Sequence, residues 1–288
     1  MRLSVRFWGT RGSVPTPGAH TVRYGGNTPC VEVRAGDEPS IILDAGTGIR
    51  ELGDVLNSRA NGNPLSVDIF LTHTHWDHIQ GLPFFSPLYK QGSCIRIWGP
   101  DSPEAPLGNV FRLLMSPAVF PVSSEEVRAR VEIGPATGAP RMAAGCDIAT
   151  LPVHHPGGAV AYRVSCIGEP RCSVVYVPDN ELGDKDGDER RRLVQFASGA
   201  GLLVHDSTYT SAEYGGRQGW GHSTFEDAVE LARTARVAHL ALFHHAPERT
   251  DAEIDALVEK ARAMDRGKDG AMVITAAAEG ETVEVCPG

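Results

Sequence analysis

Residues 69–81 read IFLTHTHWDHIQG, and this stretch decides how the rest of the chain is read. Its first three residues are apolar, as in a buried strand, and the run leads straight into His73, His75, Asp77 and His78. Alternation along a strand turns His73 and His75 to the same side. A turn after them can swing Asp77 and His78 back toward a neighbouring point. Three imidazoles and a carboxylate gathered at one strand end are costly to bury without a cation. The spacing therefore points to two adjacent metal positions.

Outward from this stretch, short β-branched runs ending in Gly or Asp alternate with amphipathic helical stretches. Strands are expected over 4–8, 41–44, 67–72, 95–98, 159–165, 173–177, 202–206, 239–243 and 271–275. Helices are expected over 48–57, 188–197, 224–235 with Ser223 as N-cap, and 251–264 with Thr250 as N-cap. The fold class is α/β. No repeat or low-complexity linker interrupts the pattern, and 288 residues at 41% hydrophobic content suit one domain over 1–288. The Pro- and Gly-rich region at about 82–140 lacks long periodic segments and reads as a surface excursion, of the kind that walls a pocket or a dimer contact.

A formal charge of -9 argues against the large basic face with which proteins grip duplex or structured nucleic acid, and so favours a small substrate. The opening MRLSVRFWGTRGS alternates like a strand and has no apolar run long enough for a signal peptide or membrane span, so the expected location is cytoplasmic and no membrane partner is expected. The six cysteines lack any CxxC spacing and are expected to be packed free thiols, with Cys166 and Cys172 able to face each other across the turn IGEPR. The acidic stretch LGDKDGDERRR fails as a calcium loop starting at Asp184, because Gln195 stands where the bidentate Glu is needed. A solvated turn entering a helix is the better reading, and Arg190, Arg191 and Arg192 make too short a run to mark nucleic acid.

The HxHxDH pattern after an apolar strand resembles the signature of the metallo-β-lactamase superfamily, and the wider chain resembles its phosphodiesterase branch, which includes ribonuclease Z and cyclic-nucleotide phosphodiesterase-like proteins. Nearly the whole chain takes part, through ILDAGTGIRELG (42–53), HPGGAVAYRV (155–164), VVYVPDN (174–180), LLVHDSTY (202–209), GWGHST (219–224) and LALFHHAP (240–247). The resemblance implies a four-layer αβ/βα sandwich holding two divalent ions, zinc in first place, with manganese or iron as chemical alternatives. His73, His75 and His155 would bind the first ion; Asp77, His78 and His244 would bind the second, and Asp179 would bridge them. His154 and His245 are the rivals of their neighbours, since strand alternation lets one of two adjacent residues face the site. Asp44 would either orient a ligand imidazole or cap the AGTG turn.

The same resemblance makes Asp77 and His222 the catalytic residues, His222 as general acid to a leaving alkoxide, with a metal-bridging hydroxide as nucleophile. Asp206 and His205 stand at another strand end and are candidates to support His222. Arg11, Arg23, Tyr24 and Asn27 lie in Gly-rich loops that either border the substrate or serve as ordinary connections, and no Walker lysine-hydroxyl pair accompanies them. The expected substrate is a small phosphodiester, concretely a 3',5'-cyclic nucleotide. The alternatives are a ribonuclease Z-like tRNA 3'-end endonuclease, a phosphoribosyl cyclic phosphate hydrolase, and a non-enzymatic metal-binding sensor. β-Lactamase chemistry is disfavoured, since Asp179 keeps a carboxylate where that branch commonly carries Cys. A homodimer is implied by the resemblance alone.

Overall fold

Two seven-stranded sheets face each other in the computed structural model, which describes residues 2–101, 106–136, 141–183, 187–266 and 272–286. In chain order the first half gives β1 (Leu3–Gly9), β2 (Cys30–Ala35), β3 (Ile41–Leu43), α1 (Ile49–Arg59), β4 (Ser66–Phe70), α2 (Trp76–Ile79), β5 (Cys94–Gly99), α3 (Leu107–Leu114) and β6 (Arg130–Pro135). The second half opens with β7 (Arg141–Ala143), β8 (Cys146–Val153), β9 (Ala159–Cys166), β10 (Glu169–Val177) and α4 (Asp188–Ala197). It continues with β11 (Leu202–Asp206), α5 (Ser211–Tyr214), α6 (Phe225–Thr234), β12 (His239–Phe243), α7 (Asp251–Asp265), β13 (Val273–Ala276) and β14 (Thr282–Glu284). No helix among the described residues is long and apolar enough to cross a membrane.

The first sheet runs β14-β1-β2-β3-β4-β5-β6 and the second β13-β12-β11-β10-β9-β8-β7. Each has a parallel half, β3 to β6 in one and β10 to β13 in the other, and an antiparallel half. The carboxyl ends of parallel strands are where open α/β sheets place their ligands, and here β4, β10 and β12 end shortly before His73, Asp179 and His244. Between the sheets lies a core that includes Val5, Phe7, Phe70, Tyr162, Tyr176 and Phe243. Phe7 meets Phe243 at 6.1 Å and Phe70 meets Tyr162 edge-on at 5.5 Å. Helix α1 covers the outer face of the first sheet with Ile49, Leu52 and Leu56, while α6 and α7 cover the second with residues such as Val229 and Ile254. The result is helix, sheet, sheet, helix: the expected α/β sandwich.

Several expectations need correction. Of the expected surface excursion at about 82–140, residues 102–105 and 137–140 lie outside the described residues, and the rest includes β5 and β6, which extend the first sheet, and Phe85 and Leu88, which are fully buried beneath α1. Helix α6 is capped by Thr224, whose side chain accepts from the Asp227 amide, and not by Ser223, whose hydroxyl donates to the Asn180 carbonyl. The cysteines are not all free: Cys172 is bonded to Cys286, 114 residues on, with Cys166 Sγ 3.2 Å from Cys172 Sγ. The chain returns through β14 to pair with β1, and that return sets Cys286 beside β10, a proximity that no local spacing signals. Of the acidic stretch, Asp184, Lys185 and Asp186 lie outside the described residues, as does Ala271 of the expected last strand.

Candidate metal centre

Strand β4 ends at Phe70, and the next residues carry His73 and His75 forward before α2 turns Asp77 and His78 inward. The second sheet meets them with His155, past the end of β8, Asp179, two residues beyond β10, and His244, just after β12. The donor atoms of His73, His75 and His155 lie within 4.8 Å of one another, and so do those of Asp77, His78 and His244. Asp179 stands between the two groups. Its Oδ2 is 3.8 Å from both His73 Nε2 and His155 Nε2, whereas its Oδ1 is 3.0 Å from His78 Nε2 and 3.3 Å from His244 Nε2. His154 points elsewhere, exposed and 3.9 Å from Glu189, and His245 bonds the Ala277 carbonyl at 2.9 Å with a pKa pushed down to about 3 by burial.

The electrostatics of the cluster suit a cation. Burial pushes the imidazoles of His73, His75 and His155 below their ordinary range, which keeps them neutral and able to coordinate. Burial also opposes charge on His78, but Asp179, Asp77 and Asp44 crowd it and drive its pKa well above normal. Three carboxylates around one imidazole call for a positive charge, which a metal ion would supply. His73 Nε2, His78 Nε2 and Asp179 Oδ1 are buried and, although His78 and Asp179 approach closely, make no well-aligned hydrogen bond among the described residues, a cost of about 1–3 kcal/mol each if nothing satisfied them. The donor set, nitrogen and carboxylate oxygen, fits divalent transition ions.

A shell of supports fixes these side chains. Asp44 is fully buried, accepts from the Thr72 amide at 2.7 Å and the Tyr176 hydroxyl at 2.9 Å, and pairs with His78 Nδ1 at 2.7 Å. His78 thereby presents Nε2 inward. Thr208 Oγ1 lies 3.0 Å from His244 Nδ1. The Ser13 amide donates to Asp77 at 2.8 Å, so the loop around Arg11 does border the cluster, though through its backbone. Gly12 is required there, since a Cβ would come within 2.4 Å of the His244 ring. Arg11 itself is buried and donates to the carbonyls of Gly25, Ala246 and Arg249, Arg23 and Tyr24 bond Asp255, and Asn27 bonds Glu279; these residues tie the loop down.

His222 sits beside the cluster, its Nδ1 2.9 Å from Asp206 and its ring stacked 4.9 Å from that of His244. Burial works against its charge, but Asp206 raises its pKa to about 9. His205 does not join it, turning Nδ1 onto the Asp206 carbonyl. Glu181 was not singled out from the sequence. It accepts from the amides of Gly219 and Gly221 at 2.8 and 2.7 Å and from the Tyr214 hydroxyl at 2.6 Å. Gly221 in turn offers its carbonyl to His155 Nδ1 at 2.9 Å, so Glu181 clamps a loop that orients both His155 and His222. Its adjacency to the Asp179–Asn180 pair just after β10 is the available signal.

The family described as beta-lactamase superfamily domain matches residues 40–245. Ribonuclease Z of Pyrococcus furiosus is 26% identical over 296 residues, spanning 85% of this chain and 87% of its own. The metallo-beta-lactamase fold protein YhfI from Bacillus subtilis superposes with a TM-score of 0.71 at 20% identity, covering 99% of this chain and 100% of its own. Unliganded yeast PDE1 also gives 0.71, at 15% identity over 98% of this chain and 99% of its own. At such identities the two structures speak for the fold alone.

Proposed function

The chain belongs to the beta-lactamase superfamily, and we propose that it is a metal-dependent phosphodiesterase that hydrolyses a small phosphodiester, concretely a 3',5'-cyclic nucleotide. The observation that carries this reading is Asp179, whose two oxygens face two separate histidine groups while His222, held by Asp206, stands beside both. In this assignment His73, His75 and His155 hold one ion, Asp77, His78 and His244 hold the other, and Asp179 is shared. Zinc is the proposed ion. When bound, such a pair would lower the pKa of water and neutralise phosphate oxygens during in-line displacement.

The chain's own residues supply the rest. Asp44 and the Gly221 carbonyl hold the ligand imidazoles in one orientation, so the site is built before substrate arrives. His222 keeps its proton because Asp206 stabilises the charged ring, and its Nε2 edge is left to donate to the departing alkoxide. Asp77, fixed by the Ser13 amide, both binds and helps set the charge at the reacting centre.

Cleavage of tRNA precursors is the second reading, favoured by the ribonuclease Z relative that spans most of both chains. The net charge of -9 weighs against a structured RNA. Hydrolysis of bis(p-nitrophenyl) phosphate, cyclic AMP, cyclic GMP and a pre-tRNA, by protein of assayed metal content loaded with zinc or manganese, separates them. Turnover of cyclic nucleotides without pre-tRNA supports the proposal, and the reverse replaces it with the nuclease. Silence on every diester with both ions bound leaves a metal-binding sensor. We further propose a homodimer, on family resemblance; light scattering of the purified chain tests it.

A further inference from the structure

Of the seven residues gathered at the centre, His75 is the exposed one, so substrate reaches the site past its imidazole. Two large exposed apolar side chains directly neighbour residues of this centre in the chain. Trp76 is 64% exposed and directly follows His75; Trp220 is 60% exposed and directly precedes Gly221. The two backbones are linked through the centre itself: His75 Nδ1 lies 3.0 Å from His155 Nε2, and His155 Nδ1 lies 2.9 Å from the Gly221 carbonyl. The chain's other tryptophans are used differently, Trp8 and Trp98 donating their indole N–H groups to Glu32 and Asp68. The indole N–H groups of Trp76 and Trp220 donate to no described side chain or backbone group, and of Trp220 only the backbone amide is engaged, by the Arg217 carbonyl.

Both exposed indoles are carried on fixed backbone. Glu181 grips the amides on either side of Trp220, those of Gly219 and Gly221. Trp76 opens α2, where its carbonyl accepts from the Gln80 amide and the His75 carbonyl accepts from the His78 amide. A flat apolar face displayed on rigid backbone loses little entropy on capturing a flat ligand. Nucleobases are such ligands, and they stack on aromatic side chains whatever their sequence.

We propose that Trp76 and Trp220 form a stacking platform for the nucleobase of the phosphodiester, making them the specificity-determining residues of this site. This rests on the phosphodiesterase reading, and names a nucleoside-bearing diester as its substrate class.

The test compares two substrates with one leaving group, thymidine 5'-(p-nitrophenyl phosphate) and methyl p-nitrophenyl phosphate, on the metal-loaded protein. In Trp76→Ala and Trp220→Ala the ratio of kcat/KM for the thymidine ester over the methyl ester should fall by about tenfold, through KM, and Trp→Phe at each position should restore most of it. An unchanged ratio overturns the platform. Should no diester turn over, so that the phosphodiesterase reading itself fails, quenching of tryptophan fluorescence by AMP still decides. Saturable quenching in wild type that is lost in both alanine variants supports the platform, and its absence in wild type overturns it.

Discussion

Each sheet brings a buried carboxylate to the centre, and the two are built alike. Asp44 follows β3 in the first sheet, Asp206 ends β11 in the second, and both are fully buried. Each accepts from the amide and hydroxyl of one threonine, Thr72 or Thr208, and each pairs with the Nδ1 of one histidine, His78 or His222. They part company beyond that point. Tyr176 crosses from the opposite sheet to close over Asp44, and His78 is sealed from solvent; among the described residues no tyrosine hydroxyl bonds Asp206, and its histidine, met edge-on by Tyr209 at 5.8 Å, keeps a side chain 12% exposed. On the proposed reading the same support serves opposite ends: a sealed imidazole would hold an ion, and an accessible one would pass a proton to something that comes and goes.

The sharpest way to break this contrast is Asp179→Ala, which removes the group both sets share. Bound metal should fall and turnover drop to background, as read by elemental analysis beside a diester assay; a variant with full metal content would refute the bridging role. Next in size, His222→Ala should keep both ions yet lose about 10²–10⁴-fold in kcat on an alkyl diester, with a smaller loss on an activated aryl diester. Equal losses on the two esters would remove His222 from the acid role. Asp44→Asn should act on the other side of the comparison, weakening metal affinity by about 10–100-fold in a chelator competition, while Asp206→Asn leaves it near wild type. The smallest effect is on pH. An acid works while protonated, so alkyl-diester turnover should fall as pH rises through the His222 pKa, which Asp206 has raised to about 9. Bound cations would lower that limb in every variant, so the reading is the difference: Asp206→Asn should move the limb to lower pH, and an unmoved limb would assign it to another group.

The two sheets also differ in how far the sequence disclosed them. The first sheet's contribution is contiguous: His73, His75, Asp77 and His78 share one strand end, so spacing alone pointed to a metal site. The second sheet delivers His155, Asp179, Asp206 and His244 one at a time from separate strand ends, and these positions rested on resemblance and not on pattern. Strands β11 and β12 were legible to the residue, because both are apolar runs buried on two faces. Strands β2, β6, β7, β8 and β14 were not. Glu32 and Arg34 interrupt β2, Pro152 interrupts β8, and β6, β7 and β14 are sheet edges whose patterning is weak because one side lacks a partner. Glu181 carries no local signal because its partners, the Gly219 and Gly221 amides and the Tyr214 hydroxyl, lie 33–40 residues away, and two of the three are backbone groups.

The link from Cys172 to Cys286 has a topological consequence. It closes residues 172–286 into one covalent ring, and Asp179, Asp206, His222 and His244 all lie on it, while His73, His75, Asp77, His78 and His155 lie outside. A protease that nicks the exposed turn at Gly215–Gly216 would open the ring without freeing either piece. The nicked protein should migrate as a single species until a reductant is added, and only then divide, each fragment carrying away part of the centre.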